Sequence, residues 1–321
     1  MRYVALLLVL AVAGCGGSSH DADGGGPRFT QHPFDDAITA APAAYQEVNE
    51  VWESRDLDFT SCVADPTPDG TTCNFQAQVI DFEKDTFLTQ LGGTTVKVFL
   101  NNQIDDLNVV CAPAGAAGSC LATLPTCFEA DADASGLVSF PCMPCNARFA
   151  VWTYKKSSVT PVTKRAAEFN RIVTATSGIE EVFTISVSTY GLIPGIVGFQ
   201  PDPALGIVAG KARDCADHSL SNVGVNVDKG TLAAPVNECF CGDDPIYGVG
   251  TFYFIDNFPQ KQQSVTSEDG LWAFVNVPPG PVTVFGSARR ADGQPVTMNV
   301  GRSHVTALAD TIAIGDLMIE P

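Results

Sequence analysis

Ser267-Glu-Asp-Gly-Leu-Trp-Ala-Phe274, followed by Val275-Asn-Val-Pro-Pro-Gly280 and Pro281-Val-Thr-Val-Phe-Gly286, is typical of a tight turn that leads into a β-strand. Asp269-Gly270 predicts the turn, since glycine tolerates a positive φ. Residues 271, 273 and 275 are expected on one face of the strand, and residues 272 and 274 on the other. Pro278-Pro279-Gly280 then reverses the chain, and residues 281–287 are predicted to return as the partner strand.

The same pattern occurs 134 positions earlier in the chain (270 − 136). Asp133-Ala-Ser-Gly-Leu-Val-Ser-Phe140 is followed there by Pro141-Cys-Met-Pro-Cys-Asn146 and Ala147-Arg-Phe-Ala-Val-Trp152. The residues that align without a gap are Gly136, Leu137, Phe140 and Pro144 with Gly270, Leu271, Phe274 and Pro278. The repeat indicates two modules of the same kind.

Short apolar segments with a period of two surround both copies, and Gly, Pro, Asn and Asp separate them. This spacing favours an all-β fold of two tandem immunoglobulin-like or transthyretin-like β-sandwiches. The predicted strands are 94–100, 107–111, 147–154, 207–213, 223–227, 251–255, 271–275, 282–287 and 311–319. Before them, Tyr45, Val48 and Trp52 have helical spacing and predict a short N-terminal helix over 41–55.

Several segments of the second copy share a family pattern. They are Gly206-Ile-Val-Ala-Gly-Lys-Ala-Arg-Asp214, Leu220-Ser-Asn-Val-Gly-Val-Asn-Val227, Thr266-Ser-Glu-Asp-Gly-Leu-Trp-Ala-Phe274 and Val277-Pro-Pro-Gly280-Pro-Val-Thr-Val284. Together they resemble the carboxypeptidase regulatory-like domain over residues 206–321. The resemblance implies a transthyretin-like β-sandwich, and residues 75–154 are similar to a diverged relative of it.

The composition excludes several classes of protein. The chain has 321 residues, 45% hydrophobic and 17% charged, with 29 Gly and 21 Pro. It is too apolar for disorder and too rich in turn-forming residues for a helical bundle. Lys and Arg total 18 against 36 Asp and Glu, and the net charge of −18 repels phosphate backbones and anionic lipid head groups. Nucleic acid is therefore excluded as a partner.

The N-terminus has the pattern of an export signal. Arg2 precedes an apolar run from Val4 to Ala13, which as a helix would rise about 15 Å, half of a bilayer core. Val12-Ala-Gly-Cys15 resembles the bacterial lipobox, in which the cysteine is acylated and becomes the first residue. The alternative is an ordinary secretory signal with Cys15 near the cleavage site. We predict lipidation of Cys15, hence a membrane anchor in the cell envelope, at the outer membrane on its periplasmic or surface face.

These features divide the chain into predicted segments. They are a lipoprotein signal peptide (1–14), a flexible tether (15–40), a helix and cysteine-containing lead-in (41–72), the first β-sandwich (73–160), a connector with room for a short helix (161–205) and the carboxypeptidase regulatory-like β-sandwich (206–321). The tether is rich in Gly, Ser and Asp and is expected to hold the folded part away from the membrane.

The cysteines other than Cys15 are even in number, which favours disulfides in an exported chain. They are Cys62, Cys73, Cys111, Cys120, Cys127, Cys142, Cys145, Cys215, Cys239 and Cys241. Proximity in sequence favours the pairs 62–73, 111–120 and 142–145, with 215 joined to 239 or 241, but the sequence does not choose among the possible pairings. The two cysteines left over would cross between modules or stay free.

Cys142-Met-Pro-Cys145 also matches a redox motif or half of a zinc site. A redox pair begins a helix, whereas this one lies between two strand-like runs. A zinc site needs two further ligands at matching spacing, and the sequence offers none. A structural disulfide is therefore the favoured interpretation.

The chain carries no recognisable catalytic or cofactor motif. It lacks Gly-x-Ser-x-Gly and Gly-x-x-x-x-Gly-Lys-Ser/Thr, and His20, His32, His218 and His304 are scattered. A cleft that joined His218 or His304 to two carboxylates would be needed to indicate an enzyme. We predict a protein without enzymatic activity, catalytic residue, metal or cofactor.

One segment begins like a calcium loop. Asp131 and Asp133 alternate with alanine, but the twelfth position is Cys142, where an EF-hand needs a bidentate Glu. A hairpin turn explains the same residues, and whether calcium binds near the two aspartates stays open.

Two functions remain. The first is a membrane-anchored lipoprotein without catalytic activity, whose β-sandwiches serve structural or protein-interaction roles with envelope proteins as partners. The second is a carbohydrate-binding lipoprotein in which Tyr247, Tyr253 and Trp272 form a platform for sugar rings. That platform requires at least two of the three rings to be exposed and coplanar. Strand aromatics usually fill the core, so we predict the first function.

Overall fold

The structure is a computed structural model that describes residues 67–68, 70–82, 92–104, 106–114, 126–155, 160–221, 223–231, 234–239, 249–261, 263, 265–289 and 295–318. The predicted signal peptide, tether and N-terminal helix lie outside these ranges. So do Cys15, Cys62, Cys120, Cys241 and Tyr247. Within the described ranges the fold is all-β, as predicted, and a short helix accompanies the strands.

The strands follow one another along the chain with one helical interruption. They are β1 (Thr72–Asp81), β2 (Thr95–Phe99), β3 (Ala112–Pro113), β4 (Cys127–Asp131), β5 (Leu137–Pro144), β6 (Arg148–Tyr154), β7 (Thr163–Ile172), β8 (Ile179–Ser186), then helix α1 (Val187–Ile196), then β9 (Gly206–Arg213), β10 (Val223–Thr231), β11 (Ala234–Cys239), β12 (Gly250–Ile255), β13 (Phe258–Gln260), β14 (Leu271–Val277), β15 (Gly280–Arg289), β16 (Pro295–Ala307), β17 (Thr311–Ile314) and β18 (Leu317–Met318).

One long sheet runs through both predicted modules. Its strand order is β3-β4-β2-β6-β7-β17-β9-β14-β12-β13, and we call it the spanning sheet. β17 lies at its centre, parallel both to β7 of the first half and to β9 of the second. The two halves are therefore joined by backbone hydrogen bonds.

Two smaller sheets cover opposite faces of the spanning sheet. The first outer sheet, β5-β1-β8, packs on one face around Phe75, Phe140 and Phe149. The second outer sheet, β11-β10-β15-β16-β18, packs on the other face around Trp272 and Phe274. Each outer sheet forms a sandwich with part of the spanning sheet, so the two sandwiches share a layer.

Strand β14 has the predicted alternation, and both of its faces are buried. Trp272 and Phe274 enter the core under the second outer sheet, whereas Ala273 and Val275 face the side that α1 covers. Gly270 at the preceding turn has φ +70°, as a tight turn requires. The predicted partner strand is wrong, because β15 pairs with β10 and β16 in the second outer sheet, while β14 pairs with β12 and β9. The Pro-Pro-Gly segment is an arch between sheets.

Other sequence predictions of strands also need correction. Residues 107–111 were expected to be a strand but form a turn and an irregular segment, and only Ala112–Pro113 pairs with β4. The strand predicted over 311–319 is interrupted at Gly315-Asp316 and divides into β17 and β18. The predicted connector, 161–205, contains β7 and β8 as well as the helix α1.

Candidate functional site

A cavity of about 320 Å³ lies between the spanning sheet and the α1 helix. Its floor is the face of β7, β17, β9, β14 and β12 that points away from the second outer sheet. Helix α1 and strand β8 cover it with Ile185, Tyr190 and Ile193. Because most of the lining is aliphatic or aromatic, the cavity is a concave apolar site of the kind that holds small molecules.

Helix α1 is placed over the cavity by its first turn. Ser186 is the N-cap, and its hydroxyl oxygen accepts a hydrogen bond from the Thr189 backbone N–H at 3.0 Å. Tyr190, one residue further, is buried beside the Lys164 ammonium, which lies 5.1 Å from the ring centroid. The Tyr190 hydroxyl has no hydrogen-bond partner among the described residues, and burial raises the pKa of this phenol well above its usual range.

Strand register divides the sheet face that forms the floor of the cavity, together with the residues beside it, into rows that cross the sheet. The first row is Ala166, Ile312, Ile207 and Val275, the second is Glu168, Ile314, Ala209 and Ala273, and the third contains Asp316, Lys211 and Leu271. The floor is therefore apolar at the start of β7, β17 and β9 and charged where these strands end.

Glu168 is the most buried charged group at this end, with 4% of its surface exposed. Its Oε1 accepts a hydrogen bond from the Phe183 backbone N–H at 2.6 Å, and its Oε2 lies 3.5 Å from Nη1 of Arg171. Burial raises the pKa of Glu168 to about 7, although Arg171 and the Phe183 N–H favour the carboxylate. This carboxyl group can therefore change protonation near neutral pH.

The remaining charges at this end come from β9 and the residues after β17. Asp316 accepts a hydrogen bond from the Lys211 backbone N–H at 2.9 Å, and its other oxygen lies 2.9 Å from Nε of Arg213. Arg171 is paired in turn with Glu180 at 2.8 Å. Both arginines thus have carboxylate partners. The Lys211 ammonium forms no ion pair with any residue in the described part of the chain, and partial burial lowers its pKa.

The predicted aromatic platform is wrong. Tyr253 is 4% exposed, and its hydroxyl oxygen accepts a hydrogen bond from the Val225 N–H at 3.0 Å. Trp272 is fully buried and packs edge-on against Phe274, with 6.0 Å between the centroids. Both rings point into the sandwich core because they lie on the strand face under the second outer sheet. Tyr247 lies outside the described residues, so fewer than two of the three rings can be exposed.

The disulfides join different cysteines from those predicted. Cys73 bonds to Cys145 and Cys111 bonds to Cys127. The predicted pairs 62–73, 111–120 and 142–145 are therefore wrong. Residues 142 and 145 cannot meet because β5 is extended to Pro144 and directs side chains three positions apart to opposite faces.

Strand pairing explains the bonds that do form. The Cys145 N–H donates to the Thr71 carbonyl at 3.0 Å, next to Cys73. Cys111 and Cys127 come together because β3 and β4 are parallel neighbours. Cys142 and Cys215 are also disulfide-bonded, and nothing is described of the side chain of Cys239.

The aspartates of the calcium-like segment hold a turn. Oδ1 of Asp133 accepts hydrogen bonds from the N–H groups of Ser135 and Leu137 at 2.8 and 3.0 Å. The hydroxyl of Ser135 also donates to this oxygen at 2.6 Å, and this bond, followed by the backbone bonds, lowers the pKa of Asp133. Asp131 accepts from the hydroxyl of Thr95 across the strand pair. Among the described residues, no group of three or more His, Cys, Asp or Glu is placed to hold a metal ion.

The two described histidines lie apart. His218 is 46% exposed on its side chain, and its Nδ1 lies 3.0 Å from the buried carboxylate of Asp214 in a turn. His304 lies on β16 of the second outer sheet, where its Nδ1 is 3.1 Å from the Thr283 hydroxyl. His218 thus lies beside the carboxylate of Asp214, and His304 beside the hydroxyl of Thr283, in two different sheets or turns of the described chain.

The cavity was not anticipated from the sequence. Two of its residues carry a sequence signal, since Glu168 in Ala166-Ala-Glu-Phe169 and Lys211 in Gly206-Ile-Val-Ala-Gly-Lys-Ala212 are charged residues within apolar runs. Asp316 carries none, because it lies between β17 and β18. Their proximity depends on the parallel contact of β17 with β9, which joins residues far apart in sequence.

Comparison with known proteins gives distant similarities. No family model matches the chain, and no curated protein matches it. Among solved structures, a streptococcal ancillary pilin is 11% identical, with 78% of this chain and 63% of that chain covered and a TM-score of 0.21. The major pilin subunit of Bacillus cereus is 9% identical, with 77% and 70% covered and a TM-score of 0.20. These similarities do not assign the chain to a family.

A membrane-spanning helix is not found in the described ranges, where no helix is both long and apolar enough to cross a bilayer.

Proposed function

We propose that the protein is a membrane-anchored lipoprotein of the cell envelope, without catalytic activity, whose shared-layer β-sandwiches form a rigid structural scaffold. The observation that carries the scaffold role is the spanning sheet. β17 pairs with β7 over Thr311–Ile314 and with β9 over Ile312–Ile314, so a backbone ladder takes the place of a free linker between the halves. Relative motion of the halves would break these hydrogen bonds.

The disulfides support a location outside the cytosol. Cys73–Cys145 joins β1 to the residue after β5, and Cys111–Cys127 joins the residue before β3 to the first residue of β4. Such bonds persist in oxidising compartments. The anchor itself is supported by the Val12-Ala-Gly-Cys15 sequence alone. Envelope proteins as partners and the outer membrane as the site of attachment remain part of the proposal.

The anchor is tested by Cys15→Ala, with Ser18→Ala in the adjoining tether as the matched control. Cells grown with an alkyne-tagged fatty acid are fractionated, and the protein is followed by immunoblot and by the tag. We expect the native chain and Ser18→Ala in the membrane fraction with the tag attached, and Cys15→Ala without either. Membrane association of Cys15→Ala equal to that of the native chain would refute the anchor.

The scaffold is tested by limited proteolysis with trypsin. Within 161–205 the tryptic sites are Lys164, Arg165 and Arg171, and all three lie in β7. Each is paired with a neighbouring strand: Lys164 with β8, Arg165 with β17 and Arg171 with β6. Paired strands resist cleavage, because a protease needs an extended segment that is free of its neighbours. We expect no early cut at these residues in the native protein. Rapid separation into two folded fragments there would show a hinge and exclude the rigid scaffold.

A further inference from the structure

We propose that the cavity beneath α1 binds an aliphatic carboxylate of medium chain length, with the chain among the apolar rows and the carboxylate at the Lys211 ammonium. This inference does not depend on the anchor or on the scaffold role, since it rests on the cavity alone.

The size of the cavity sets the length of the ligand. A volume of 320 Å³ lies at the lower end of small-molecule sites. A group the size of a water molecule occupies about 30 Å³, so the volume of the cavity corresponds to about ten such groups. A saturated chain of about ten carbons matches this volume, and its burial favours binding.

The order of the rows sets the orientation of the ligand. Ile207 and Ile312 lie in the apolar first row, and Lys211 lies in the charged third row. Between them, Ala209 and Ala273 are the small side chains of the second row, which leave the space that the chain would occupy. An amphiphile therefore fits with its polar end toward the ends of β9 and β17.

Charge matching selects an anion for the polar end. The acids that line this end are Glu168 and Asp316, and each has an arginine partner, Arg171 and Arg213 respectively. The carboxylates of Asp316, Asp217 and Asp269 attract the Lys211 ammonium from a distance. Lys211 is nevertheless the cation of the lining that forms no ion pair with a described residue. A ligand carboxylate would supply one, as a charge-assisted hydrogen bond in a partly desolvated site.

The charged end also provides the route to water. The side chains of Arg213 and Asp316 are 28% and 30% exposed, while Ile207 and Ile312 are buried. A carboxylate at Lys211 could therefore keep part of its hydration while the chain is buried. The net charge of −18 opposes anions at long range, so binding must come from local contacts.

The test uses the purified full-length protein in detergent-free buffer, stripped of bound acyl compounds, and isothermal titration calorimetry with three probes. Decanoate has both proposed features, 1-decanol lacks the charge, and butyrate lacks the length. We expect saturable one-to-one binding of decanoate, weaker binding of 1-decanol and no measurable binding of butyrate. Absence of saturable decanoate binding would overturn the proposal.

Variants separate the head-group contact from the chain site. Lys211→Met should weaken decanoate binding about tenfold and leave 1-decanol unchanged, since it removes only the charge. Lys261→Met is the matched control, because Lys261 is exposed and does not line the cavity. Ala209→Leu fills the second row and should abolish binding of both probes, with folding checked by circular dichroism. Equal decanoate affinity in Lys211→Met and the native protein, or an equal loss in Lys261→Met, would contradict the assignment of Lys211.

Discussion

The β1–β5 pair of the first sandwich and the β9–β14 pair of the second have the same design but are secured differently. In both, the glycine of the tight turn accepts a hydrogen bond from the facing strand: Gly136 from Val79 at 2.8 Å, and Gly270 from Ala212 at 2.9 Å. The residues that pair in register lie 133 to 134 positions apart in the two copies (212 − 79 and 270 − 136). The internal repeat is therefore structural as well as a sequence pattern.

The difference lies at the other end of each pair. The first copy is closed by the Cys73–Cys145 disulfide. At the position of Cys73 the second copy has Gly206 (73 + 133), where an added Cβ would come within 2.5 Å of the Leu308 carbonyl oxygen. The second copy thus replaces a covalent bond with close backbone approach of the segment that leads into β17. The same strand pair is thus held at its end either by a disulfide or by a close backbone contact.

The largest expected effect is loss of the disulfide. Cys73→Ala with Cys145→Ala should lower the free energy of unfolding by about 4 kcal/mol, since the bond constrains a long loop in the unfolded chain. Urea unfolding without reductant measures it. The matched control, Cys111→Ala with Cys127→Ala, opens a much shorter loop and should lower it by about 3 kcal/mol. A smaller loss for the first double variant than for the control would show that covalent closure is not what secures β1–β5.

The free energy of unfolding should depend on pH through Glu168, which lies on β7 beside β17, where the two halves meet. Its pKa of about 7 in the folded protein lies above the ordinary value of 4.5, so the folded state binds a proton that the unfolded chain has already lost. The free energy of unfolding should therefore fall by about 3 kcal/mol as pH rises from 4.5 to 7. Urea unfolding across this range measures the slope.

Glu168→Gln keeps an acceptor for the Phe183 N–H and removes the titration. We expect the variant to lose this part of the pH dependence, while the contribution of Asp316, whose pKa burial raises, remains in both proteins. If the free energy of unfolding depends on pH in the same way in the variant and the native protein, the protonation of Glu168 does not contribute to stability.

The smallest expected effect is at Gly206, where the backbone of Leu308 lies close to the end of the β9–β14 pair. Gly206→Ala should lower the free energy of unfolding by about 2 kcal/mol, because its Cβ would meet the Leu308 backbone, which cannot turn aside as a side chain can. Thermal unfolding followed by circular dichroism measures it. Gly178→Ala is the matched control: no atom lies within 4 Å of its added Cβ, so its stability should not fall. A tolerated Gly206→Ala would mean that the two copies do not share a closed strand end.

Local features of the fold could be predicted from the sequence. The turns at Gly136 and Gly270, the alternation in β14 and the all-β class all follow from residues within a few positions of one another. Strands β7 and β8 were missed because their residues do not alternate, and both include charged side chains such as Glu168 and Glu181. They become strands through pairing with distant partners.

The candidate site shows the same limit. Glu168, Lys211 and Asp316 lie on three strands that meet through β17, and no local pattern indicates that meeting. The expected disulfide pairs were wrong for a related reason. Proximity in sequence favoured 142–145, whereas strand pairing brings residue 145 to residue 73. Contacts between residues far apart in sequence can be predicted only once the strand topology is known.

The central position of β17 also constrains the order of events during synthesis. Thr311 pairs with Arg165, 146 positions earlier (311 − 165), so the edges of β7 and β9 that β17 covers stay open until that part of the chain has been made. Open strand edges pair readily with other extended chains. A chain that ends before residue 311 would therefore expose two unpaired strand edges that β17 covers in the complete fold.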